Sequence, residues 1–422
     1  MHIYFSGIGG KGIASLAHIA LDAGYTVSGS DLSASATTTQ LAERGATITF
    51  NQSGEFLEEL TLADGIDWLI YTAAMQPDHP ELESADRLGI PFAKRHEFIN
   101  TFLHDKYLKL LAVSGTHGKT TTTSMVVWLF KKHNIPVSYS IGGDLSFGNG
   151  GAYQKNSDWL VLEADEFDKN MLYFAPDEAV VVNIDYDHKD TYPTRADYEK
   201  SFEQFIKQSK HTVLWDDAAA KISVDSKKHT VMTKDSYQPE IPLAGQHNRE
   251  NAVLASHGFM YATQPDSAGD PKTVHSVLRM LADFPGAKRR MERIAKNVYS
   301  DFAHTPEEIT ATLQLASEKF ENIIVIYQPH QNIRQHELVG KYETCFEKAN
   351  KVYWVPTYLS REKPDQEVLS PKQLIPKKDH GKFEISELND NLAAAAKSMA
   401  NDYTILCMGA GDIDDWARNN LG

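Results

Sequence analysis

Cysteine is nearly absent from this chain: Cys345 and Cys407 are the only two in 422 residues. Two thiols exclude a disulfide framework and a thiolate-held metal, and they fit a reducing compartment in which both serve as packing residues. Positive charge is short as well. Lys and Arg number 42 against 57 Asp and Glu, a formal net charge of -15, which opposes non-specific attachment to nucleic acid or an anionic membrane surface. An anionic substrate must then meet positive groups placed locally. Apolar runs of about eighteen residues, the length a membrane helix needs, are missing. The N-terminus enters directly a strand-like His2-Ile3-Tyr4-Phe5 with no leader-like segment ahead of it, so the expected location is cytoplasmic, with neither membrane nor nucleic acid as partner. Internal repeats and low-complexity stretches are also lacking. What remains is 41% hydrophobic and 23% charged, an ordinary globular composition at a length suited to about three domains.

The first hundred residues alternate apolar runs with helix-like segments: His2 to Phe5, Ile13 to Ala23, Tyr25 to Ser28, Trp68 to Tyr71 and Pro91 to Ala93. That alternation predicts a parallel sheet wrapped by helices. Its first turn, Gly7-Ile8-Gly9-Gly10-Lys11-Gly12, is a Gly-x-Gly-x-x-Gly match between strand and helix, and Gly29-Ser30-Asp31 closes the second strand about twenty residues on, as in a dinucleotide fold. A polar hinge at His104-Asp105-Lys106 precedes a strand from Tyr107 to Val113, and a second domain starts there. Trp159 to Leu162 and Ala179 to Val182 predict further strands, each ending in a polar cluster. Past Asp283-Phe284-Pro285-Gly286, strands at Ile323 to Tyr327, Lys351 to Val355 and Tyr403 to Met408 predict a third α/β unit.

The most informative stretch is Ala112-Val113-Ser114-Gly115-Thr116-His117-Gly118-Lys119-Thr120-Thr121-Thr122, where apolar residues run into a Gly-Lys-Thr turn and then a helix. Glycines let backbone approach a polyanion, amides and the helix N-terminus supply positive potential, Lys119 can neutralise outer phosphates, and Thr120 can ligate magnesium. The expected ligand is a nucleoside triphosphate, held by a shorter variant of the usual loop because Val113 stands where a glycine would fall. Glu163-Ala164-Asp165-Glu166-Phe167-Asp168 follows the strand at Trp159. Four carboxylates beside a phosphate cradle invite a hard cation, with a solvated acidic loop as the other reading. Asn183-Ile184-Asp185-Tyr186-Asp187-His188-Lys189-Asp190 closes the next strand, making His188 a metal ligand or a packed histidine. Gly245-Gln246-His247-Asn248-Arg249-Glu250-Asn251 opens a helix whose Asn amides can face an adenine edge or cap the helix. Arg289-Arg290, Asp301-Phe302-Ala303-His304-Thr305-Pro306, Gln328-Pro329-His330 with Arg334, and Gly409-Ala410-Gly411-Asp412 mark polar strand ends in the third unit.

Together these blocks resemble the Mur ligases, the ATP-dependent enzymes that build the peptide stem of bacterial cell wall precursors, over nearly the whole chain. Within the family they look most like the branch that joins L-alanine to UDP-N-acetylmuramate. The resemblance implies an α/β enzyme of three domains: a Rossmann-like N-terminal domain, 1–104, for the UDP-sugar; a P-loop central domain, 105–285, for ATP; and a Rossmann-like C-terminal domain, 286–422, for the amino acid. It implies Gly7, Gly9, Gly10, Asp31 and Thr72 at the UDP-sugar. Gly115, Thr116, His117, Gly118, Lys119, Thr120 and Thr121 are implied at the ATP phosphates, with Asn248, Asn251 and Asp301 at the nucleoside. Thr120, Glu163 and His188 would hold Mg2+; Lys119, His188, Arg290 and His304 would serve catalysis; Arg334 would meet the amino acid or phosphate. The implied chemistry is phosphoryl transfer to the muramyl carboxylate, then attack by the amine on the acyl phosphate.

Several positions depart from the family pattern. Lys11 stands where a small residue is usual and Phe167 where serine is common. Asp301-Phe302-Ala303-His304-Thr305 is closer to the branch that adds a diamino acid, while the Gly-Ala-Gly-Asp block favours the alanine branch. Between Phe205 and Gly245 the chain is short enough to lose a small edge sheet. Lys200 and Glu203 do not align clearly with the carbamylated lysine of many relatives. Other readings are a related ligase attaching a preformed tripeptide or another amino acid, a nicotinamide-dependent oxidoreductase using Gly7 to Gly12, and a non-catalytic nucleotide-binding module.

Overall fold

The computed structural model describes residues 1–72, 75–189, 191–234, 241, 243–360, 362 and 366–422. Its chain forms two compact units, Met1–Ile241 with Asn251–Pro285, and Pro242–Glu250 with Gly286–Gly422. Among the described residues the first unit holds two sheets and the second holds one. No helix among them is long and apolar enough to cross a membrane.

The N-terminal sheet comprises β1 (His2–Ser6), β2 (Thr26–Ser30), β3 (Thr47–Thr49), β4 (Trp68–Tyr71) and β5 (Phe92–Lys94), in the order β3-β2-β1-β4-β5 and parallel throughout. All five residues of β1 are buried, as a central strand covered on both faces requires. The sequence predicts these strands except β3, whose Thr-Ile-Thr at the sheet edge is too short and too polar to register. The helix Lys11–Asp22 is buried on nearly every face from Ile13 to Ala20. Its second contact explains this: Ser15 Oγ lies 2.8 Å from Ser140 Oγ, so the helix is sandwiched between the first sheet and the edge of the second.

The second sheet is built from β6 (Lys109–Ser114), β7 (Ser138–Ser140), β8 (Gly151–Ala152), β9 (Trp159–Glu163), β10 (Glu178–Val181), β11 (His211–Trp215) and β12 (Thr230–Met232). The order is β12-β11-β10-β6-β9-β7-β8, parallel except for β7 against β8. β6 sits between β9 and β10, so the chain leaves it to opposite sides and the loops after all three strands converge at one end. That is the switch point at which open α/β sheets bind ligands. Between Phe205 and Gly245, β11 and β12 extend the main sheet; residues 235–240 and 242 of that stretch lie outside the described residues.

The second unit's sheet runs β13 (Glu292–Ala295), β14 (Val298–Asp301), β15 (Ile323–Tyr327), β16 (Lys351–Trp354), β17 (Phe383–Ile385) and β18 (Thr404–Met408), in the order β13-β14-β18-β15-β16-β17. Only β13 pairs antiparallel. Alternation along β15 and β18 divides the core: Val325, Tyr327, Leu406 and Met408 face one side, Ile324, Ile326, Ile405 and Cys407 the other. Cys345 and Cys407 are free and buried, consistent with packing roles.

Candidate functional site

β6 delivers the chain into Gly115-Thr116-His117-Gly118, and the helix Lys119–Lys132 begins at once. Gly115 has φ +142° and Gly118 φ +81°, and a Cβ on either would stand 3.1 Å from Asn183 backbone or from the Asn251 amide respectively. Only glycine meets both demands. The turn is clamped from the end of β10. His117 N donates to Asn183 Oδ1 at 2.9 Å, and Asn183 Nδ2 donates back to His117 O at 3.0 Å. Thr116 Oγ1 lies 2.8 Å from Asp185 O and 2.7 Å from Tyr198 OH. Gly118 supplies no side-chain cap to the helix that follows, so its first amides are left for a polyanion.

Lys119 Nζ donates to Gly115 O at 2.6 Å and Thr116 O at 3.0 Å, and pairs with Glu166 Oε2 at 2.7 Å. Glu166 is 1% exposed, and its Oε1 lies 3.3 Å from His188 Nε2. Burial disfavours the Glu166 carboxylate, yet Lys119 and His188 more than offset this and hold its pKa below the ordinary value. Burial likewise opposes charge on Lys119, and Glu166 carries its pKa upward. For His188 burial pulls down, while the bond to Glu166 and the charge of Asp187 leave the pKa raised. The result is a buried charged group beside the phosphate turn. His188 adopts φ +53°, a strained conformation for a non-glycine residue of the kind that gathers at functional sites.

Thr120 Oγ1 donates to Glu163 Oε1 at 3.0 Å, and Glu163 Oε2 accepts from Gly142 N at 2.8 Å. A hydroxyl and a carboxylate at the mouth of the turn fit magnesium, which takes few protein oxygens and keeps several waters. The three residues expected to hold the metal therefore divide, Thr120 with Glu163 and His188 with Glu166. Among the described residues no group of three or more His, Cys, Asp or Glu is assembled as a metal cage. Asp190 lies outside the described residues, and Lys200 is exposed on the helix Arg195–Gln208, whose buried Tyr198 reaches Thr116 instead.

In the N-terminal sheet, Gly7 N and Ile8 N donate to Ser30 O at 2.9 Å, and Gly9 N donates to Asp31 Oδ2 at 2.7 Å. The Thr72 side chain stands beside Gly7. The glycines, Asp31 and Thr72 thus meet at the carboxyl ends of β1, β2 and β4, and Gly10 begins the helix Lys11–Asp22 without a side-chain cap, which leaves a second open helix terminus.

Asp301, Arg290, His304, Arg334 and Asn248 belong to the second unit. Asp301 is 5% exposed and fully engaged: Oδ2 accepts from Met291 N at 2.8 Å, Oδ1 from Ala303 N at 2.9 Å and Thr312 Oγ1 at 3.0 Å. Burial raises its pKa against the pull of Arg290. Arg290 lies 5.1 Å over the Phe302 ring. His304 Nδ1 is 3.0 Å from Phe302 O and its Nε2 touches the Arg334 guanidinium, so those two candidates come together. Thr305 caps the helix Pro306–Ser317 in a box with Glu308. Asn248 Nδ2 donates to Ala244 O at 3.1 Å; Asn251, on the same helix but in the first unit, faces Gly118. Sequence reasoning gave Glu166 no part beyond its place among four carboxylates that invite a cation, and singled out neither Asn183 nor Tyr198. The first stood in view within the acidic block, but an irregular loop has no periodicity to say which carboxylate turns inward.

Three family models match in order: the Mur ligase family catalytic domain at residues 2–107, the Mur ligase middle domain at 113–233, and the Mur ligase glutamate ligase domain at 289–411. The chain is 31% identical to the UDP-N-acetylmuramate–L-alanine ligase of Desulforamulus reducens, over 97% of this chain and 95% of that one. It is 30% identical to the enzyme of the same name from Roseiflexus castenholzii, over 86% and 84%. Among solved structures it is similar to the UDP-N-acetylmuramate-alanine ligase of Thermotoga maritima, with a TM-score of 0.77 and 26% identity across 100% of this chain and 98% of that one. A phosphate turn at the switch point of the middle sheet, three domain models in sequence and full-length relatives lead to one conclusion: the chain is a ligase and belongs to the Mur ligase family.

Proposed function

We propose that the chain joins L-alanine to the carboxylate of UDP-N-acetylmuramate, driven by ATP through an acyl phosphate, in peptidoglycan precursor synthesis. The observation that carries this reading is the Lys119, Glu166 and His188 group beside the turn at Gly115–Gly118, in a chain aligned nearly end to end with relatives of that name. We assign the UDP-sugar to 1–104, ATP to 105–285 and the amino acid to 286–422.

The free carboxylate cannot acylate an amine at neutral pH because oxide is too poor a leaving group. A carboxylate oxygen therefore attacks the γ-phosphorus of ATP, the bond to ADP breaks, and ADP departs with its electron pair. The uncharged amine of alanine attacks the acyl carbon, inorganic phosphate leaves, and the ammonium proton passes to solvent. Bringing two anions together needs fixed positive charge, and Lys119 supplies it from a position where its side chain is only 15% exposed and water screens it weakly. Thr120 and Glu163 would hold magnesium, which would supply charge neutralisation at the phosphates. The uncapped helix terminus at Lys119 orients them.

Thr305 is accounted for by its capping box, so its presence does not argue for a diamino acid acceptor. Phosphate release is to be measured with ATP, magnesium and UDP-N-acetylmuramate against L-alanine, serine, glycine or the preformed tripeptide. The expected result is fastest release with L-alanine. Preference for the tripeptide would move the assignment to the recycling reaction, and no release with any acceptor would overturn the reading.

A further inference from the structure

Arg95 opens the helix Arg95–Asp105 directly after β5. Its Nη2 donates to the carboxylate of Asp165, in the acidic block that follows β9. That ion pair ties the N-terminal sheet's layer to the phosphate-binding layer within one compact unit. Nε and Nη1 make no hydrogen bond among the described residues, and Nη1 stands 2.5 Å from where a Cβ on Gly12 would lie. The guanidinium is therefore packed against the start of the helix Lys11–Asp22, with one edge occupied and the rest of its donors open.

Arg95 lines a recess between the two layers that has room for about 40 Å³ of water-sized groups. One wall carries Gly12, Ser15 and Arg95, beside the glycine turn. The other carries Gly142 and Glu163, and Glu163 is the partner of Thr120 at the phosphate loop. Arg95 is the only cation among the described residues that line it. Without a cation, Glu163 and Asp165 would repel an anion entering from the glycine turn. Asp165 holds one edge of the guanidinium and aims it, and the planar fork that remains matches a carboxylate better than it matches a single phosphate oxygen.

We propose that Arg95 is the residue that binds the carboxylate of the sugar-borne acid and steers it from the glycine turn to the phosphate loop, an assignment that rests on the substrate reading above. The uncapped first turn of the helix Lys11–Asp22 takes the diphosphate, and Arg95 discriminates a sugar nucleotide bearing an acid from one without.

The test is equilibrium binding of UDP-N-acetylmuramate and of UDP-N-acetylglucosamine, which lacks the carboxylate, to the wild type, Arg95→Ala and Arg95→Lys. Arg95→Ala is expected to weaken the muramate by about tenfold or more, the value of a lost charge-assisted bond, and the glucosamine by less than about twofold. Arg95→Lys keeps the charge paired with Asp165, is expected to fold with an unchanged melting temperature, and should fall between, since an ammonium lacks the fork. Equal loss of both nucleotides would make Arg95 only a strut between layers, and no loss of either would remove it from the site; both results overturn the proposal while leaving the substrate reading intact. A wild type that binds neither nucleotide would remove the substrate reading and this assignment with it.

Discussion

Replacing Lys119 with methionine keeps the stem and deletes the ammonium, leaving Glu166 at 1% exposure with His188 at 3.3 Å as its remaining cationic partner. Breaking one side of a buried ion pair costs about 3–5 kcal/mol, because the other charge stays buried. His188 retains part of the compensation, so the expected loss is about 2–3 kcal/mol. Glu166→Gln should cost less, since Lys119 keeps its bonds to Gly115 O and Thr116 O. The double variant carries neither charge, and its loss should fall short of the sum of the singles by about 2 kcal/mol. Urea unfolding of the four proteins measures this, read from the transition that Lys119→Met displaces, because both residues lie in the first unit. Lys119 holds the Glu166 pKa low, so the pair's stabilisation is present above the ordinary carboxylate pKa and lost as pH falls through the lowered one. Lys119→Met should move that loss to higher pH. Phosphate release should be abolished in both Lys119 variants, however stable the double one is. Additivity within about 0.5 kcal/mol would refute the pairing, and near-normal turnover in the double variant would refute the phosphate-holding role.

Two further outcomes are expected elsewhere in the first unit. Glu178, at the start of β10, is 3% exposed beside His211, and burial pushes its carboxyl up to about 7 despite that histidine. The unfolded chain loses this proton near the ordinary carboxylate pKa and the fold keeps it to about 7, so stability falls as pH rises across that window, by on the order of 3 kcal/mol. Glu178→Gln should flatten that slope in thermal unfolding between about pH 3.5 and pH 8, values about one pH unit beyond the ends of the window; an unchanged slope would show that another group is responsible. Glu163→Gln removes an anionic oxygen from Thr120 and should raise the magnesium needed for half-maximal phosphate release by about tenfold, whereas an identical magnesium titration would take Glu163 out of the metal site.

Much of the frame could be read directly. β1, β6, β9, β10, β15 and β18 are runs of mostly buried apolar residues, each followed in sequence by a helix, and that signal is local. The edge strands β3, β8, β12 and β17 have two or three residues each, too few for any periodicity. Asp301 was legible as a strand-end acid, but not that Met291, Ala303 and Thr312 would occupy both its oxygens. Arg95 stood inside an ordinary Lys94-Arg95-His96 stretch and drew no notice, since its partner Asp165 lies seventy residues away.

By itself the sequence determined the phosphate turn, because glycines at positive φ between a buried strand and a helix are demands of the nearby backbone alone. Which carboxylate would meet which cation was decided by tertiary structure. Glu163, Asp165 and Glu166 are chemically alike and adjacent; only the path of the chain after β9, bent through left-handed Asp168 and Lys169, aims one at Thr120, one at Arg95 and one at Lys119. Side-chain chemistry sets what a carboxylate can bind, and long-range packing sets what lies within its reach.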